Sequence, residues 1–170
     1  ARRIDASADI VMFEKGPNVS FSNCSLPFYL SGVVAASESL IMMEPEAFKN
    51  SYDIEARTDT EVTAIDRAAK KITAKDLKTG KEYEEDYDVL VLSPGARPVR
   101  PRSIKGIDGK NVFTIRNVVD ITKLKTYLDE NDIKDTVVVG GGFIGVEVTE
   151  NLRMSGRNVV LVEALDQIMM

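Results

Sequence analysis

The run Gly140-Gly141-Gly142-Phe143-Ile144-Gly145, which reads G-x-G-x-x-G, constrains the fold of this chain more than any other segment. The apolar run 136–139 precedes it, and Ile144, Val148 and Leu152 recur at helical spacing after it. A glycine-rich turn between a strand and a helix presents backbone N–H groups and the positive end of the helix dipole, which together bind a pyrophosphate. We therefore predict an α/β fold with a dinucleotide-binding βα unit here, and a helix stop at Gly156.

A second strand and an acidic residue complete this unit. Glu163 follows Gly140 by 23 residues and directly follows the apolar run 159–162, which, like the run 10–13, predicts a strand buried on both faces of a parallel sheet. In such a unit Gly140 permits the tight turn, Gly142 lets the backbone approach the pyrophosphate, and Gly145 lets the helix pack on the strand. Glu163 is placed to accept hydrogen bonds from an adenosine ribose, and the three residues after it include no Arg or Lys for a 2′-phosphate. The pattern favours NADH over NADPH. The alternative to a nucleotide-binding loop is a glycine-rich turn in an unrelated α/β domain.

A similar strand end lies near the start of the chain, where the apolar run 10–13 is followed by Glu14. By analogy with the Glu163 unit, the matching glycine would lie roughly ten residues before Ala1. We therefore interpret the chain as a piece of a longer enzyme in which both nucleotide domains are incomplete. Two ribose-binding acids in one chain suggest a flavin and a nicotinamide, although a solvated strand-end acid is the simpler interpretation of Glu14.

The middle of the chain has a different sequence pattern. Short alternating segments predict a small antiparallel β meander with a hairpin turn at 78–81; they are residues 54–57, 61–65, 71–74 and 82–84. The apolar run 87–92 predicts a buried strand that ends at Ser93-Pro94-Gly95. A Pro- and Gly-rich linker follows, and then an amphipathic helix with Ile121, Leu124 and Leu128 on one face. The predicted domains are a flavin nucleotide domain, 1–110, and the start of a nicotinamide domain, 111–170, both Rossmann-like and three-layered.

Composition excludes several classes of function. Lys and Arg number 22 against 27 Asp and Glu, so the formal net charge of −5 argues against nucleic acid or anionic lipid as a partner. The chain has no His, which removes His-based catalytic triads and most zinc sites, so we expect no metal site. No apolar run approaches the roughly 18 residues that a membrane span needs. We expect no membrane span and a cytoplasmic protein.

Cys24 is the only cysteine. A lone cysteine is more often a small buried apolar residue than a reagent. Its neighbours alter that expectation: Ser22 and Asn23 are capping residue types, and Pro27 suits a first helical turn. They predict a helix N-terminus at Cys24, where the helix dipole lowers a thiol pKa. Because Cys24 follows Glu14 by only ten residues, we predict a redox-active thiol near a flavin.

These motifs resemble those of the flavin-dependent pyridine nucleotide-disulfide oxidoreductases. The resemblance extends along essentially the whole chain and is carried by these segments: 13–15, 20–30, 60–62, 87–96, 112–117 and 140–163. Within this superfamily, a single cysteine in Asn23-Cys24-Ser25-Leu26-Pro27-Phe28-Tyr29 is similar to the coenzyme A disulfide reductase group. Members related to glutathione reductase carry a Cys-x4-Cys pair, which this chain lacks.

The resemblance implies a mechanism and a set of contacts. Electrons pass from NADH through FAD to a mixed disulfide between Cys24 and coenzyme A, so that coenzyme A disulfide is reduced to thiol. The implied coenzyme A contacts are Arg3, Ser20 and Asn23, for which a solvated charge and two local caps are the simpler interpretations. The implied FAD contacts are Glu14 and the backbone near Val62, Ser93 and Gly95, the last two of which could equally be structural turns.

Several alternatives stay open at this point. Related enzymes use the same lone cysteine in an NADH oxidase, or in a polysulfide or coenzyme A persulfide reductase. A third possibility is a non-catalytic dinucleotide-binding module in which Cys24 is a core residue. If the chain is a piece of such an enzyme, we expect the parent to be a homodimer acting on a small disulfide or sulfane sulfur compound, and the isolated chain to be inactive.

Overall fold

The structure, a computed structural model, describes residues 1–169 and forms two compact units. The first unit consists of residues 1–20 and 42–95, and the second of residues 21–41 and 96–169. Met170, the last residue of the predicted nicotinamide domain, lies outside the described residues. The observed division assigns the segment 21–41 to the later half of the chain, whereas we predicted a single boundary near residue 110. Which nucleotide each domain binds stays a prediction.

Nine strands and four helices are present in the described part of the chain. The strands are β1 (Val11–Phe13), β2 (Ser20–Phe21), β3 (Ile41–Met43), β4 (Glu55–Arg57), β5 (Thr60–Asp66), β6 (Lys71–Asp76), β7 (Glu82–Asp86), β8 (Asp135–Val139) and β9 (Asn158–Val162). The helices are α1 (Leu26–Ser31), α2 (Pro45–Tyr52), α3 (Val118–Glu130) and α4 (Phe143–Met154). The α/β class predicted from the sequence is confirmed.

The first unit contains the predicted meander. β5, β6 and β7 form an antiparallel sheet, with a bulge in β5 between Val62 and Ala64. The hairpin turn at 78–81 is also confirmed: the N–H of Gly80 donates to the carbonyl oxygen of Asp76 at 2.8 Å, and Gly80 has a φ of +75°. Such a left-handed conformation favours glycine.

One predicted member of the meander has a different partner. β4 pairs in parallel with β1, so that Phe13 lies opposite Arg57. The prediction that residues 54–57 belong to the antiparallel sheet is therefore wrong. Alternation along a strand reports its exposed and buried faces but does not specify its neighbour. α2, which packs on β4, lies in the long connection between β1 and β4 that a parallel pair needs.

Arg57 joins these two sheets through its side chain. Its Nε donates to Oε1 of Glu55 at 2.6 Å, and its Nη1 donates to Oε2 of Glu85 at 2.5 Å. The guanidinium also lies over the rings of Phe13 and Tyr83, with 5.3 and 5.6 Å to the ring centroids. Hydrogen bonding to Glu55 is the largest cause that raises the pKa of Arg57 above its ordinary value. This arrangement ties β4 to β7 beside the end of β1.

The second unit is built around the predicted strand-turn-helix-strand. β8 and β9 are parallel, with Val139 opposite Val162, and α4 connects them. The predicted helix stop is confirmed, since α4 ends at Met154 and Gly156 has a φ of +86°. α1, α3 and α4 share one hydrophobic core, whose buried side chains are Leu26, Leu30, Leu40, Val118, Ile121, Leu128, Val148 and Leu152.

The burial of the apolar strands is lower than we predicted. In β8 and β9 only alternate residues, such as Val138 and Val159, pack against the core, and Val137 and Val160 on the other face are exposed. Within residues 1–169 the helices cover one face of this pair, so the expectation of strands buried on both faces is wrong here. The same holds for β1, which is half-buried.

The predicted strand at 87–92 is also wrong. These residues form no strand, and Val89 and Val91 are 82% and 80% exposed. An apolar run indicates a segment suited to burial, but a strand also needs a hydrogen-bonded neighbour, and none pairs with this segment in the described residues. Ser93 and Gly95, which we predicted as flavin contacts, therefore lie in an irregular exposed stretch, where Gly95 has a φ of +70°.

Residues 1–169 contain neither a helix suited to spanning a membrane nor a cluster suited to holding a metal ion. No helix in this part of the chain combines the length and the apolar character that crossing a bilayer requires. Nor does this part contain a cluster of three or more His, Cys, Asp or Glu side chains suited to holding a metal ion.

Candidate functional site

The glycine-rich turn between β8 and α4 has the backbone geometry that we predicted for a nucleotide loop. Gly140 has a φ of +107°, a conformation that residues with a side chain rarely adopt. A Cβ on Gly145 would overlap the carbonyl oxygen of Gly140, so the helix can approach the loop only because residue 145 is glycine. Space is open around Gly142, where a Cβ would meet no atom within 4 Å. The loop is thus tightly packed at one glycine and accessible at another.

Glu163 lies directly on this loop. Its Oε2 accepts a hydrogen bond from the N–H of Gly141 at 2.6 Å, and its Oε1 accepts from the N–H groups of Ala164 at 2.6 Å and Leu165 at 2.9 Å. These bonds favour the ionised form and lower the pKa of Glu163, the one to Leu165 contributing most. A carboxylate has about four lone-pair sites, so three N–H donors leave about one for a ribose hydroxyl.

Gly141 is constrained by contacts that its position in the glycine motif did not predict. Its carbonyl oxygen accepts a hydrogen bond from the N–H of Met169 at 2.8 Å, and a Cβ at this position would come within 2.6 Å of the Ile168 side chain. Ile168 therefore rests against the loop. Gly141 occupies an x position of the motif, so only the run of three consecutive glycines could have indicated that a side chain is excluded here.

Cys24 is exposed and belongs to a short 3-10 turn, Asn23–Ser25, that leads directly into α1. Pro27 lies in the first turn of α1, as predicted, and the buried side chains of Leu26 and Leu30 anchor this helix in the core. The turn thus holds the thiol at the surface of a well-packed element. The alternative in which Cys24 fills the core is wrong for this chain.

The predicted helix caps at this turn are also wrong. The hydroxyl of Ser22 makes a hydrogen bond of 2.7 Å with the hydroxyl of Ser25 and caps no backbone N–H group. Oδ1 of Asn23 accepts a hydrogen bond from Nη1 of Arg116 at 3.2 Å. Ser22 thus bonds the side chain rather than the backbone N–H of a residue three positions on, and Asn23 has a partner 93 residues away.

Glu14 lies at the end of β1 in the first unit. Its N–H donates to the carbonyl oxygen of Arg57 at 2.9 Å, and its carbonyl oxygen accepts from the N–H of Thr60 at 3.0 Å. The side-chain Oε1 accepts from the N–H of Gly16 at 2.7 Å, so the carboxylate turns toward the loop that follows the strand. This is the same local arrangement as at Glu163, where the strand-end carboxylate also binds backbone N–H groups of an adjacent loop. Val62, on β5, is 37% exposed.

The predicted substrate residues near the chain start have different environments. Arg3 is exposed. The guanidinium of its neighbour Arg2, in contrast, donates hydrogen bonds to four backbone carbonyl oxygens, those of Tyr52, Ala6, Ala8 and Asp53. Ser20 is half-buried in β2. Of the two arginines, Arg3 is therefore the one whose guanidinium projects into solvent.

Comparison with known proteins identifies the family. The family described as "Pyridine nucleotide-disulphide oxidoreductase" matches residues 1–170, so the chain belongs to this family. The chain is 34% identical over 167 residues to a coenzyme A disulfide reductase of Staphylococcus haemolyticus, covering 98% of this chain and 37% of that protein. It therefore spans little more than a third of this relative.

Two solved structures are similar over nearly the whole chain. The reduced CoADR-RHD of Bacillus anthracis superposes with a TM-score of 0.95 at 44% identity, covering 99% of this chain and 30% of that one. A NAD-dependent persulfide reductase from A. fulgidus superposes with a TM-score of 0.92 at 34% identity, covering 99% and 31%. The Rossmann-type α/β architecture predicted from the sequence is thus confirmed.

Proposed function

We propose that this chain carries the redox-active cysteine of an FAD-dependent enzyme that uses NADH to reduce coenzyme A disulfide. The observation that carries this proposal is the exposed thiol of Cys24 on the Asn23–Ser25 turn, in a chain that belongs to the pyridine nucleotide-disulphide oxidoreductases. The name of the relative from Staphylococcus haemolyticus supports coenzyme A disulfide as the substrate. The chain spans 37% of that relative, so the activity is proposed for the complete protein, meaning this chain with its flanking segments.

Residues of both units fit nucleotide binding. NADH would be held by the loop of Gly140, Gly142 and Gly145, where the glycines leave room for a pyrophosphate, and by the carboxylate of Glu163. FAD would be held through Glu14, with the backbone near Val62, Ser93 and Gly95 beside it. FAD, when bound, relays two electrons from NADH to a disulfide.

Cys24 would take part in this chemistry through thiol–disulfide exchange. Its thiolate attacks one sulfur of coenzyme A disulfide, forming a mixed disulfide between Cys24 and coenzyme A and releasing the other coenzyme A as a thiolate. Two electrons then cleave the mixed disulfide into the Cys24 thiolate and a second coenzyme A thiolate. With NADH as donor and one proton taken up, the sum is one NAD⁺ and two coenzyme A thiols for each disulfide.

Three residues are proposed to bind the coenzyme A moiety. Arg3 supplies a guanidinium in solvent, which suits the phosphate groups of coenzyme A. Asn23 immediately precedes the reactive thiol and is exposed, so its amide can contact the part of the substrate next to the disulfide. Ser20 supplies a hydroxyl.

A persulfide reductase is the second candidate. The structural similarity to the NAD-dependent persulfide reductase of A. fulgidus, at a TM-score of 0.92, favours it. The same thiol would then attack a sulfane sulfur rather than a coenzyme A disulfide. An NADH oxidase, in which Cys24 is oxidised to a sulfenic acid, is a further outcome that the assay below separates.

The proposal is tested by following NADH oxidation and thiol release in the complete protein. With coenzyme A disulfide we expect two thiols for each NADH, and loss of this activity in Cys24→Ser while the flavin spectrum is retained. Ser39→Ala, which alters an exposed residue of similar size in the same unit, is the matched control and should keep full activity.

Three results would overturn the proposal. Faster thiol or sulfide release from polysulfide would select the persulfide reductase, and oxygen-dependent NADH oxidation without thiol release would select the oxidase. Undiminished disulfide reduction in Cys24→Ser would mean that Cys24 takes no part in the reaction.

A further inference from the structure

Arg116 reaches the turn that carries Cys24 from a distant point in the sequence. Its Nη1 donates to Oδ1 of Asn23 at 3.2 Å, across 93 residues, and its Nε donates to the carbonyl oxygen of Ala96 at 2.7 Å. All of these residues belong to the second unit. The guanidinium is thus held by one backbone group and itself holds the residue next to the thiol.

The backbone of Arg116 is fixed by the start of α3. The N–H of Arg116 donates to Oδ2 of Asp120 at 3.0 Å, and the N–H of Asp120 donates to Oδ1 of Asn117, the N-cap residue, at 2.9 Å. Reciprocal bonds of this kind satisfy N–H groups at a helix start and order the residues that precede it. The backbone of Arg116 is thus held at the helix start, and its side chain is oriented by the two hydrogen bonds to Asn23 and Ala96.

The chemistry of the guanidinium decides which end of the Asn23 amide faces a ligand. A guanidinium has only N–H donors, so the atom of the amide that meets Arg116 must be the oxygen. The NH2 group of Asn23 then points away from Arg116. Asn23, which is exposed and adjoins Cys24, thus presents its NH2 donors to a bound molecule, while Arg116 occupies one lone pair of its oxygen. Such a donor suits a carbonyl or phosphate oxygen.

We infer that Arg116 is a positioning residue for substrate: it fixes the amide of Asn23 as a hydrogen-bond donor, beside Cys24, to an acceptor oxygen of the disulfide substrate. This inference rests on the proposed function and adds to it the orientation of a substrate contact and the residue that sets that orientation. Arg116 acts through Asn23 and is assigned no contact with the substrate.

The test is a double-mutant cycle in the complete protein, with coenzyme A disulfide and NADH as substrates. Arg116→Met removes the two hydrogen bonds that the guanidinium donates to Asn23 and Ala96 but keeps much of the side-chain length. It should raise KM for the disulfide about three- to tenfold, which corresponds to the loss of one ordinary hydrogen bond. The value of kcat should stay near that of the wild type, because Cys24 is unchanged. In an Asn23→Ala background the same substitution should change KM little.

A control and a spectroscopic signature separate this effect from general damage. Arg100→Met removes an exposed arginine whose Nη2 donates to the carbonyl oxygen of Val112 at 2.9 Å, and it should leave KM unchanged. In ¹⁵N spectra the side-chain NH2 signal of Asn23, identified by its loss in Asn23→Ala, should shift in Arg116→Met and keep its position in Arg100→Met. This signal reports the pairing whether or not the disulfide is turned over.

The outcomes are distinguishable from those of the proposed function. If the wild-type protein fails to release thiol from coenzyme A disulfide, the proposed function is wrong, and so is the substrate contact inferred for Asn23. If the wild type is active but the effects of Arg116→Met and Asn23→Ala on KM multiply, or Arg116→Met leaves KM or the Asn23 signal unchanged, the inference about Arg116 alone is overturned.

Discussion

The carboxylate of Glu163 accepts a hydrogen bond of 2.6 Å from the backbone N–H of Gly141, which ties the end of β9 to the glycine-rich loop after β8. The loop and the acid are thus one connected feature. A change at Glu163 should alter both the stability of the loop and its use as a nucleotide site.

We expect Glu163→Gln to lower the melting temperature at neutral pH. The pKa of Glu163 is lowered from its ordinary value of 4.5, so its stabilising contribution is present above that value and is lost as the pH falls through the lower folded value. The difference in melting temperature between wild type and Glu163→Gln should therefore shrink below about pH 4.5. Thermal unfolding followed by circular dichroism at several pH values measures this. Glu130→Gln, at the exposed end of α3, is the control, and a difference independent of pH would contradict the prediction.

The complete protein should oxidise NADH with a higher kcat/KM than NADPH. The Glu163 carboxylate would accept hydrogen bonds from a bound ribose and would repel a 2′-phosphate, and no Arg or Lys follows it within three residues. Glu163→Ala should reduce the preference about tenfold, as expected for a hydrogen bond to a charged group. Steady-state rates with both nucleotides measure this preference. Equal kcat/KM values, or a higher value for NADPH, in the wild type would refute the prediction that NADH is preferred.

Gly145→Ala and Gly142→Ala should separate folding from binding. A Cβ at residue 145 would overlap the carbonyl oxygen of Gly140, so we expect a loss of about 1–3 kcal/mol in the free energy of unfolding together with weaker NADH binding. A Cβ at residue 142 meets open space, so Gly142→Ala should retain stability and lose NADH affinity alone. Urea unfolding and nucleotide titration measure the two effects. Wild-type stability in Gly145→Ala would show that the close approach is not needed.

Much of the fold could be predicted because its signals are local. The turn at Gly140, the helix that follows and the acid at Glu163 depend on residue types and spacings within one βαβ unit. The strand predicted at 87–92 was wrong, since an apolar run indicates suitability for burial without naming the neighbour that would pair with it. The pairing of β4 with β1 was missed for the same reason.

The site was less predictable wherever a contact joins distant residues. The spacing of Ser22 and Asn23 suggested helix caps, but Asn23 is held by Arg116, 93 residues away, which no local pattern reports. The motif also gave no reason to expect that Ile168 would exclude a side chain at Gly141. Such contacts depend on how elements pack, and a single sequence carries only the residue types.

Arg57→Lys should destabilise the first unit although it conserves the charge. The guanidinium donates to Glu55 and Glu85 through separate N–H groups and lies over two aromatic rings. The single ammonium of a lysine cannot make all of these contacts. We expect a loss of about 1–2 kcal/mol in the free energy of unfolding. Urea unfolding checks this, with Arg67→Lys, at an exposed turn, as the control. An equal midpoint for Arg57→Lys and wild type would contradict it.

The most direct test of the central claim, that Cys24 forms a mixed disulfide with coenzyme A, is the intact mass of the complete protein purified without reductant. We predict a mass increase equal to one coenzyme A less two hydrogen atoms, mapped to the Cys24 peptide, removed by a thiol reductant and absent from Cys24→Ser. The same adduct should form when reduced protein is treated with coenzyme A disulfide. An unmodified Cys24 that also resists coenzyme A disulfide and alkylation would contradict the account.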